Sequence, residues 1–278
     1  MALHRDRQAV CWVLGRLAQR PGVRSWVRRQ KSEVWGHRGA KDHAPENTLP
    51  AFRLALAMGA EGIELDVHLS GCRTPVVIHD ETIERTMQGQ GRVSRMVAQN
   101  LAALLPNAQM PEYGVEADGI HPGVPSLAEV LEMLPDGTRL NVELKGPSAR
   151  SDRLEARVLS ILRAHINRLE LWVSSFHPAQ LWACRTLMPT LRLGMLVDGE
   201  QNICLRSGVS ALLIRPEAFH PPARFVDAEM VRRAHAAGIR VHVWGIRSAE
   251  ELRRVLSLGV DAVLVDDVPQ ARRMVDMS

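Results

Sequence analysis

From residue 32 onward, short runs rich in valine, isoleucine and leucine alternate with stretches whose apolar positions recur at helical spacing. The β-type runs fall at 34–37, 62–68, 140–145, 171–176, 191–197, 211–215, 240–246 and 261–266. Most of them lack polar alternation, which is how strands covered on both faces of a parallel sheet read. Helical periodicity marks 48–58, 127–134, 152–166, 178–187, 228–237, 249–258 and 269–277. Eight strands with helices between many of them predict an α/β fold, the TIM (β/α)8 barrel, as a single catalytic domain over 32–278.

A further β-type run at 75–79 follows the second strand after only the turn-like Ser70-Gly71. A parallel crossover needs a dozen or more residues, so this run predicts the return arm of a hairpin that lifts His79 above the barrel mouth. Residues 80–124, rich in glycine, proline and asparagine, predict a small cap over the same mouth. The insertion between the second and third barrel strands then spans approximately 68–125.

Composition narrows the class further. At 278 residues, with 46% apolar and 24% charged, the chain reads as an ordinary globular protein and neither as a disordered nor as a membrane-embedded one. Cys11, Cys72, Cys184 and Cys204 show no C-x-x-C spacing, so neither a zinc knuckle nor a disulfide framework is indicated. A reducing compartment suffices, and a cytoplasmic location is expected. Seven arginines and Lys31 against Asp6 give the first 31 residues a charge of +7, so the remainder carries −3 of the net +4. The high isoelectric point therefore belongs to a basic arm over 1–31, and no nucleic-acid partner is expected.

Within that arm Arg16, Arg20, Arg24, Arg28 and Arg29 accompany Val10, Trp12, Val13, Leu14 and Leu17. Three readings stand side by side: an amphipathic helix making peripheral contact with an anionic membrane surface, a helix packed against or below the barrel, and a cleaved transit peptide. The longest apolar run of the arm, 9–15, is too short to span a bilayer.

The residues that carry chemistry lie on strand ends. In Gly62-Ile63-Glu64-Leu65-Asp66-Val67 the two carboxylates share one face, roughly 7 Å apart along the strand, and the apolar residues take the other. Carboxylates directed together into a barrel repel unless a cation sits between them, and a hard divalent cation with oxygen ligands answers that need. Asn141-Val142-Glu143-Leu144-Lys145 repeats the pattern and supplies a third carboxylate with a lysine beside it. Alternating charges on one isolated strand usually face solvent, but in a parallel barrel neither face is solvated. His37 and His79 each end a β-type run; flanking an acidic metal site, one can take a proton from a nucleophile while the other gives one to a leaving oxygen. Arg38 offers a planar fork to phosphate, and the glycines around His37-Arg38 admit close approach of a ligand. His43, His68, His121, His177, His220, His235 and His242 lack equivalent company, although His68 extends the Glu64/Asp66 face.

In order along the chain stand His37-Arg38-Gly39, Pro45-Glu46-Asn47-Thr48 with Ala51-Phe52, Glu64-x-Asp66, Val77-Ile78-His79-Asp80 with Arg85-Thr86, Glu143-Leu144-Lys145, Ser175-Phe176, Trp244, and Gly259-Val260-Asp261 leading to Asp266 and Pro269. This series resembles the glycerophosphodiester phosphodiesterases over about 34–275. The resemblance implies a capped TIM barrel that hydrolyses a small-molecule glycerophosphodiester to an alcohol and sn-glycerol 3-phosphate with one divalent cation, Ca²⁺ or Mg²⁺. By it, His37 and His79 are the acid/base pair, Glu64, Asp66 and Glu143 the metal ligands, and Arg38 and Lys145 the phosphate-binding cations. Phe176 and Trp244 match the substrate pocket, and Glu46 and Asn47 the support behind the first loop. The family's common Trp-Thr-Val-Asn reads Trp244-Gly245-Ile246-Arg247 here, and its Thr-Asp-x-Pro reads Val265-Asp266-Asp267-Val268-Pro269. These departures leave the catalytic set intact and bear on the polar part of the substrate, where the long cationic Arg247 would favour a different alcohol or an additional anionic group.

Which histidine is acid and which is base stays open at this level, as does attack by a neighbouring hydroxyl against attack by water. A lysophospholipase D acting on lysophospholipids at a membrane surface is the nearest alternative, with the basic arm as its motive. A barrel that has lost its chemistry and serves as a binding module is the alternative from another class. Oligomeric state leaves no mark in the sequence.

Overall fold

The computed structural model describes residues 31–107, 121–146, 153–198 and 210–277. Among the described residues nine strands form one sheet: β1 (Glu33–His37), β2 (Gly62–Leu69), β3 (Pro75–Val77), β4 (Arg139–Leu144), β5 (Glu170–Ser175), β6 (Arg192–Leu196), β7 (Ala218–His220), β8 (Arg240–Val243) and β9 (Ala262–Val265). In hydrogen-bonding order they read β1-β9-β8-β7-β6-β5-β4-β2-β3, and β1 also pairs with β2. Eight strands therefore close as a parallel barrel, and β3 stays outside the ring. The α-helices among the described residues are α1 (Leu49–Ala57), α2 (Ala98–Ala102), α3 (Leu127–Met133), α4 (Leu154–Leu162), α5 (Pro178–Leu187), α6 (Ala211–Ile214), α7 (Ala228–Ala236), α8 (Ala249–Ser257) and α9 (Val268–Met277).

Two compact units are distinguished along the chain. Of the described residues, one holds those within Trp35–Trp172 and Asp266–Pro269; the other holds those within Val173–Val265 with 31–34 and 270–277. In the first, Ile63, Leu65 and Val67 of β2 are fully buried against the helical layer while Glu64, Asp66 and His68 take the opposite face. The register sets Asp66 opposite Glu143 and His37 opposite Glu64, so the charged residues of three strands meet at one level. Helix α1 begins at Thr48, whose hydroxyl donates to the Pro45 carbonyl and accepts from the Ala51 amide, with Pro50 in the first turn. Gly62 is required by packing: a Cβ there would lie 2.5 Å from the Trp35 indole.

The hairpin expectation holds, since β3 pairs antiparallel with β2 through Val67–Val77, His68–Val76 and Leu69–Pro75. Beyond it, the insertion builds its own apolar cluster from Val76, Ile78, Ile83, Met87, Val93, Leu101 and Val124. That cluster fixes the segment that carries His79.

The expected strand at 211–215 is overturned: Ala211–Ile214 is helix α6, and the seventh barrel strand is Ala218–His220. A short apolar run such as Ala-Leu-Leu-Ile satisfies either period, so its pattern alone cannot separate helix from strand. Arg215 closes the helix in the left-handed region at φ 53°, and Pro216 prevents its continuation. The helix expected at 152–166 is shorter, running Leu154–Leu162 before a 3₁₀ turn at Arg163–His165. The basic arm expected at 1–31 lies outside the described residues except for Lys31, as does part of the insertion, 108–120.

In the second unit, His220 and His242 are fully buried on β7 and β8 with ring centroids 4.8 Å apart. Gly194 makes room for the first, because a Cβ there would sit 2.5 Å from the His220 Nε2. Burial pushes the His220 imidazole down to about 3.

Two stability effects follow from these contacts. Gly62→Ala should lower unfolding free energy by about 1–3 kcal/mol in denaturant titrations, because the added methyl must displace a packed indole. Above about pH 6.5, His220 is neutral whether folded or unfolded. As pH falls from there to about 3, the unfolded chain takes up a proton that the folded site refuses, so His220 costs stability progressively across that window. His220→Leu should make the acid-side decline of stability measurably shallower; an unchanged slope would mean the histidine is protonated without penalty.

Candidate active site

The cluster begins with three buried carboxylates. Glu64, Asp66 and Glu143 are 2%, 1% and 7% exposed, and one oxygen from each lies within 4.8 Å of the others. Their surroundings differ, and so does their ionisation. Asp66 Oδ2 accepts from Asn47 Nδ2 at 2.8 Å and faces Arg38 Nε at 3.1 Å, while Oδ1 faces Lys145 Nζ at 3.1 Å. Burial opposes the charge on Asp66, but Lys145 and Arg38 prevail and hold it well below the usual carboxylate range. Glu64 is pushed well above that range by burial and by repulsion from Asp66 and Glu143. Glu143 is pushed up to about 7 by burial, against the attraction of Lys145, with Asp66 adding repulsion.

Two positive side chains thus serve three carboxylates: Lys145 Nζ pairs with Glu143 Oε1 as well as with Asp66, and only Asp66, which also faces Arg38, is held low. Glu64 Oε1 is buried with no hydrogen-bond partner, and Glu64 Oε2 receives the Arg38 backbone amide at 3.1 Å. An all-oxygen donor set, fully buried and short of positive charge, fits a hard divalent cation. Glu64, Asp66 and Glu143 are the residues that would hold it.

The loop after β1 supplies the neighbouring cation. Arg38 and Asn47 both adopt the left-handed region at φ 58°, a conformation that costs non-glycine residues energy and marks sites where placement matters. The Asn47 amide donates to the Arg38 carbonyl at 2.9 Å, so the two strained residues brace each other. Arg38 Nη1 also donates to Glu46 Oε1 at 2.9 Å. Gly39 (φ +86°) allows the loop to touch α1, since a Cβ there would meet the Ala51 backbone at 2.7 Å.

Each histidine has its own carboxylate. His37 Nδ1 lies 2.7 Å from Asp266 Oδ1, and Lys41 Nζ donates to Asp266 Oδ2 at 3.0 Å. Burial opposes the Asp266 charge, but the His37 hydrogen bond and Lys41 bring this carboxyl down to about 2. The other ring nitrogen, His37 Nε2, is 4.0 Å from Glu64 Oε2. His79 Nδ1 lies 2.6 Å from Asp80 Oδ1, and the His79 carbonyl contacts His68 Nε2 at 3.0 Å. With Nδ1 engaged by a carboxylate, each neutral ring keeps its proton there and presents an unprotonated Nε2. Burial lowers the His79 value despite the attraction of Asp66.

The family model for glycerophosphoryl diester phosphodiesterases matches residues 37–270. This chain belongs to that family. The glycerophosphodiester phosphodiesterase of Caldanaerobacter subterraneus subsp. tengcongensis is 30% identical over 238 residues, covering 85% of this chain and 95% of that relative. Among solved structures, a phosphodiesterase of Oleispira antarctica in complex with the product sn-glycerol-3-phosphate superposes with a TM-score of 0.73 at 27% identity, over 88% of this chain and 97% of that one. The glycerophosphodiester phosphodiesterase of Thermotoga maritima gives 0.69 at 26% identity, over 89% and 100%.

In this family member, His37, Arg38, Glu46, Asn47, Glu64, Asp66, His79, Glu143 and Lys145 all fall in the first compact unit. Phe176 and Trp244 fall in the second, where their rings meet edge-on at 5.8 Å and the indole Nε1 donates to the His220 carbonyl at 2.8 Å. Sequence reasoning assigned no role to Asp266, Lys41 or Asp80, the partners of the two histidines. Asp80 carried a signal in its adjacency to His79, whereas Asp266 and His37 are separated by 229 positions and only the fold joins them. His68, noted only for its strand parity, contacts the backbone of His79. Among the described residues no helix is long and apolar enough to cross a membrane.

If the carboxylates form one cation site, calorimetric titration of the phosphodiesterase with Ca²⁺ or Mg²⁺ should show a single site. Glu64→Gln and Glu143→Gln should each weaken binding by at least about tenfold, because each removes an anionic oxygen donor. Equal affinity in either variant would place the cation elsewhere.

Proposed function

We propose that this enzyme hydrolyses glycerophosphodiesters to an alcohol and sn-glycerol 3-phosphate by two-histidine acid/base catalysis at a divalent-cation site. The observation that carries the reading is the pairing of two carboxylate-oriented histidines with one buried tricarboxylate cluster. His37 stands beside Glu64, and the field of His79 acts on Asp66. When bound, the cation supplies Lewis-acid stabilisation of a phosphate oxygen and lowers the pKa of a coordinated hydroxyl.

The chain's own residues do the rest. Arg38, strained into place and tethered to Glu46, offers donors to the phosphate, and Lys145 adds a second positive charge as negative charge grows on the phosphoryl oxygens. One histidine accepts the proton of the attacking hydroxyl through Nε2, and the other protonates the leaving oxygen. Burial keeps His79 below its ordinary value, so its ring is neutral at neutral pH and free to take up a proton. Asp266 and Asp80 hold Nδ1–H on each ring and so keep Nε2 directed to the reacting atoms. Phe176 and Trp244 are assigned to the substrate pocket on the strength of the family resemblance alone. We place the enzyme in the cytoplasm because a reducing compartment suffices for its four cysteines.

Turnover of glycerophosphocholine, glycerophosphoethanolamine and glycerophosphoinositol should be abolished by EDTA and restored by Ca²⁺ or Mg²⁺, with lysophosphatidylcholine as the comparison substrate. His37→Ala and His79→Ala should each lower kcat by on the order of 10² to 10⁴ with the fold preserved. The acid limb of kcat/KM should fall below about pH 6.5, since the acceptor must be neutral and burial lowers the His79 value. Turnover that survives chelation, or near-normal kcat in either histidine variant, would refute the assignment.

A further inference from the structure

The two halves of this site are joined by a residue outside the assigned set. Arg85 lies in the insertion just past His79 and directs its whole guanidinium at two carboxylates. Nη1 donates to Glu46 Oε2 at 2.9 Å and Nη2 to Glu46 Oε1 at 2.8 Å, a bidentate pair, while Nε bonds Asp80 Oδ2. Asp80 Oδ1 is the atom that holds His79 Nδ1, and Glu46 Oε1 is the atom that receives Arg38 Nη1. An unbroken series of charged contacts therefore runs His79–Asp80–Arg85–Glu46–Arg38–Asp66, with Arg85 at its centre. Both carboxylates are held below their ordinary range, Glu46 against strong burial, with Arg85 the leading attraction for each.

The series has a mechanical consequence. His79 rides on the insertion, whereas Arg38 rides on the loop after β1, and proton transfer to or from a phosphate needs the two in fixed relation. A planar guanidinium with three engaged donors fixes both distance and angle between Asp80 and Glu46. A lysine ammonium, a single point of charge, fixes neither.

We propose that Arg85 is a positioning residue of the reaction: it sets the His79 imidazole and the Arg38 guanidinium relative to one another through Asp80 and Glu46. The inference rests on the two-histidine reading above. A purely structural role predicts something different, because Arg85 is 48% exposed and surface ion pairs contribute little to stability.

The test uses the full chain with Mg²⁺ or Ca²⁺ and glycerophosphocholine, comparing wild type with Arg85→Ala, Arg85→Lys, Asp80→Asn and the Asp80→Asn/Arg85→Ala double variant. Arg85→Ala should lower kcat roughly 10- to 100-fold while Tm moves by no more than about 2 °C. Arg85→Lys, which keeps the charge and protects the fold, should remain at least about fivefold impaired in kcat, because geometry rather than charge is lost. The double variant should lose scarcely more than the worse single variant, the non-additivity of residues acting as one unit. A kcat within twofold of wild type in Arg85→Lys, or losses that multiply in the double variant, would overturn the proposal. Should the wild type turn over no glycerophosphodiester at all, the two-histidine reading fails instead, and the two failures are distinguishable.

Discussion

Three carboxylates buried together repel one another, and the arrangement of this site is organised around that repulsion. Glu64, Asp66 and Glu143 meet because parallel pairing of β2 with β4 sets Asp66 opposite Glu143. The barrel leaves neither strand face to solvent, so the charges cannot escape outward. Lys145, just past the end of β4, pairs with both Asp66 and Glu143, and Arg38, from the loop after β1, adds to the relief of Asp66, so that Asp66 is held low while Glu64 and Glu143 stay pushed up by burial and mutual repulsion. A divalent cation is the economical complement of that excess of negative charge.

The cost of holding Arg38 in the left-handed region makes sense in this light. Its backbone amide meets Glu64, its Nε meets Asp66 and its Nη1 meets Glu46, a set of contacts an ordinary strand-end conformation does not bring to one residue. Asn47, strained alike, closes the loop by hydrogen bonds to both Asp66 Oδ2 and the Asp66 amide. Local strain is tolerated because Thr48 caps α1 and Gly39 lets the loop lie against that helix.

The insertion contributes more than length. Its apolar cluster gives the segment around His79 a small core of its own, so the histidine is held by packing from below and by Asp80 from the side. His37 is held by Asp266, just past the end of β9, with Lys41 behind it. The two rings thus depend on separate supports, and their common reference is the tricarboxylate cluster.

Much of this was legible in the residues alone. Strand periodicity, the inward parity of Glu64, Asp66, Glu143 and Lys145, and the hairpin that ends at His79 follow from alternation and turn length, which are local rules. The strand at Ala218–His220 did not follow, because three residues before a proline pair carry too little pattern, and Ala211–Ile214 satisfied either period until Arg215 and Pro216 ended it. Composition and order likewise named the acidic and basic groups without saying which would ionise. That was decided by tertiary structure: Asp66 lies low and Glu64 high although both are buried to the same degree, because Lys145, Arg38 and Asn47 converge on one of them. Asp266 as the partner of His37 was also beyond sequence, since closure of the barrel brings the chain's end back beside its first strand, and no local pattern records a contact that only closure creates.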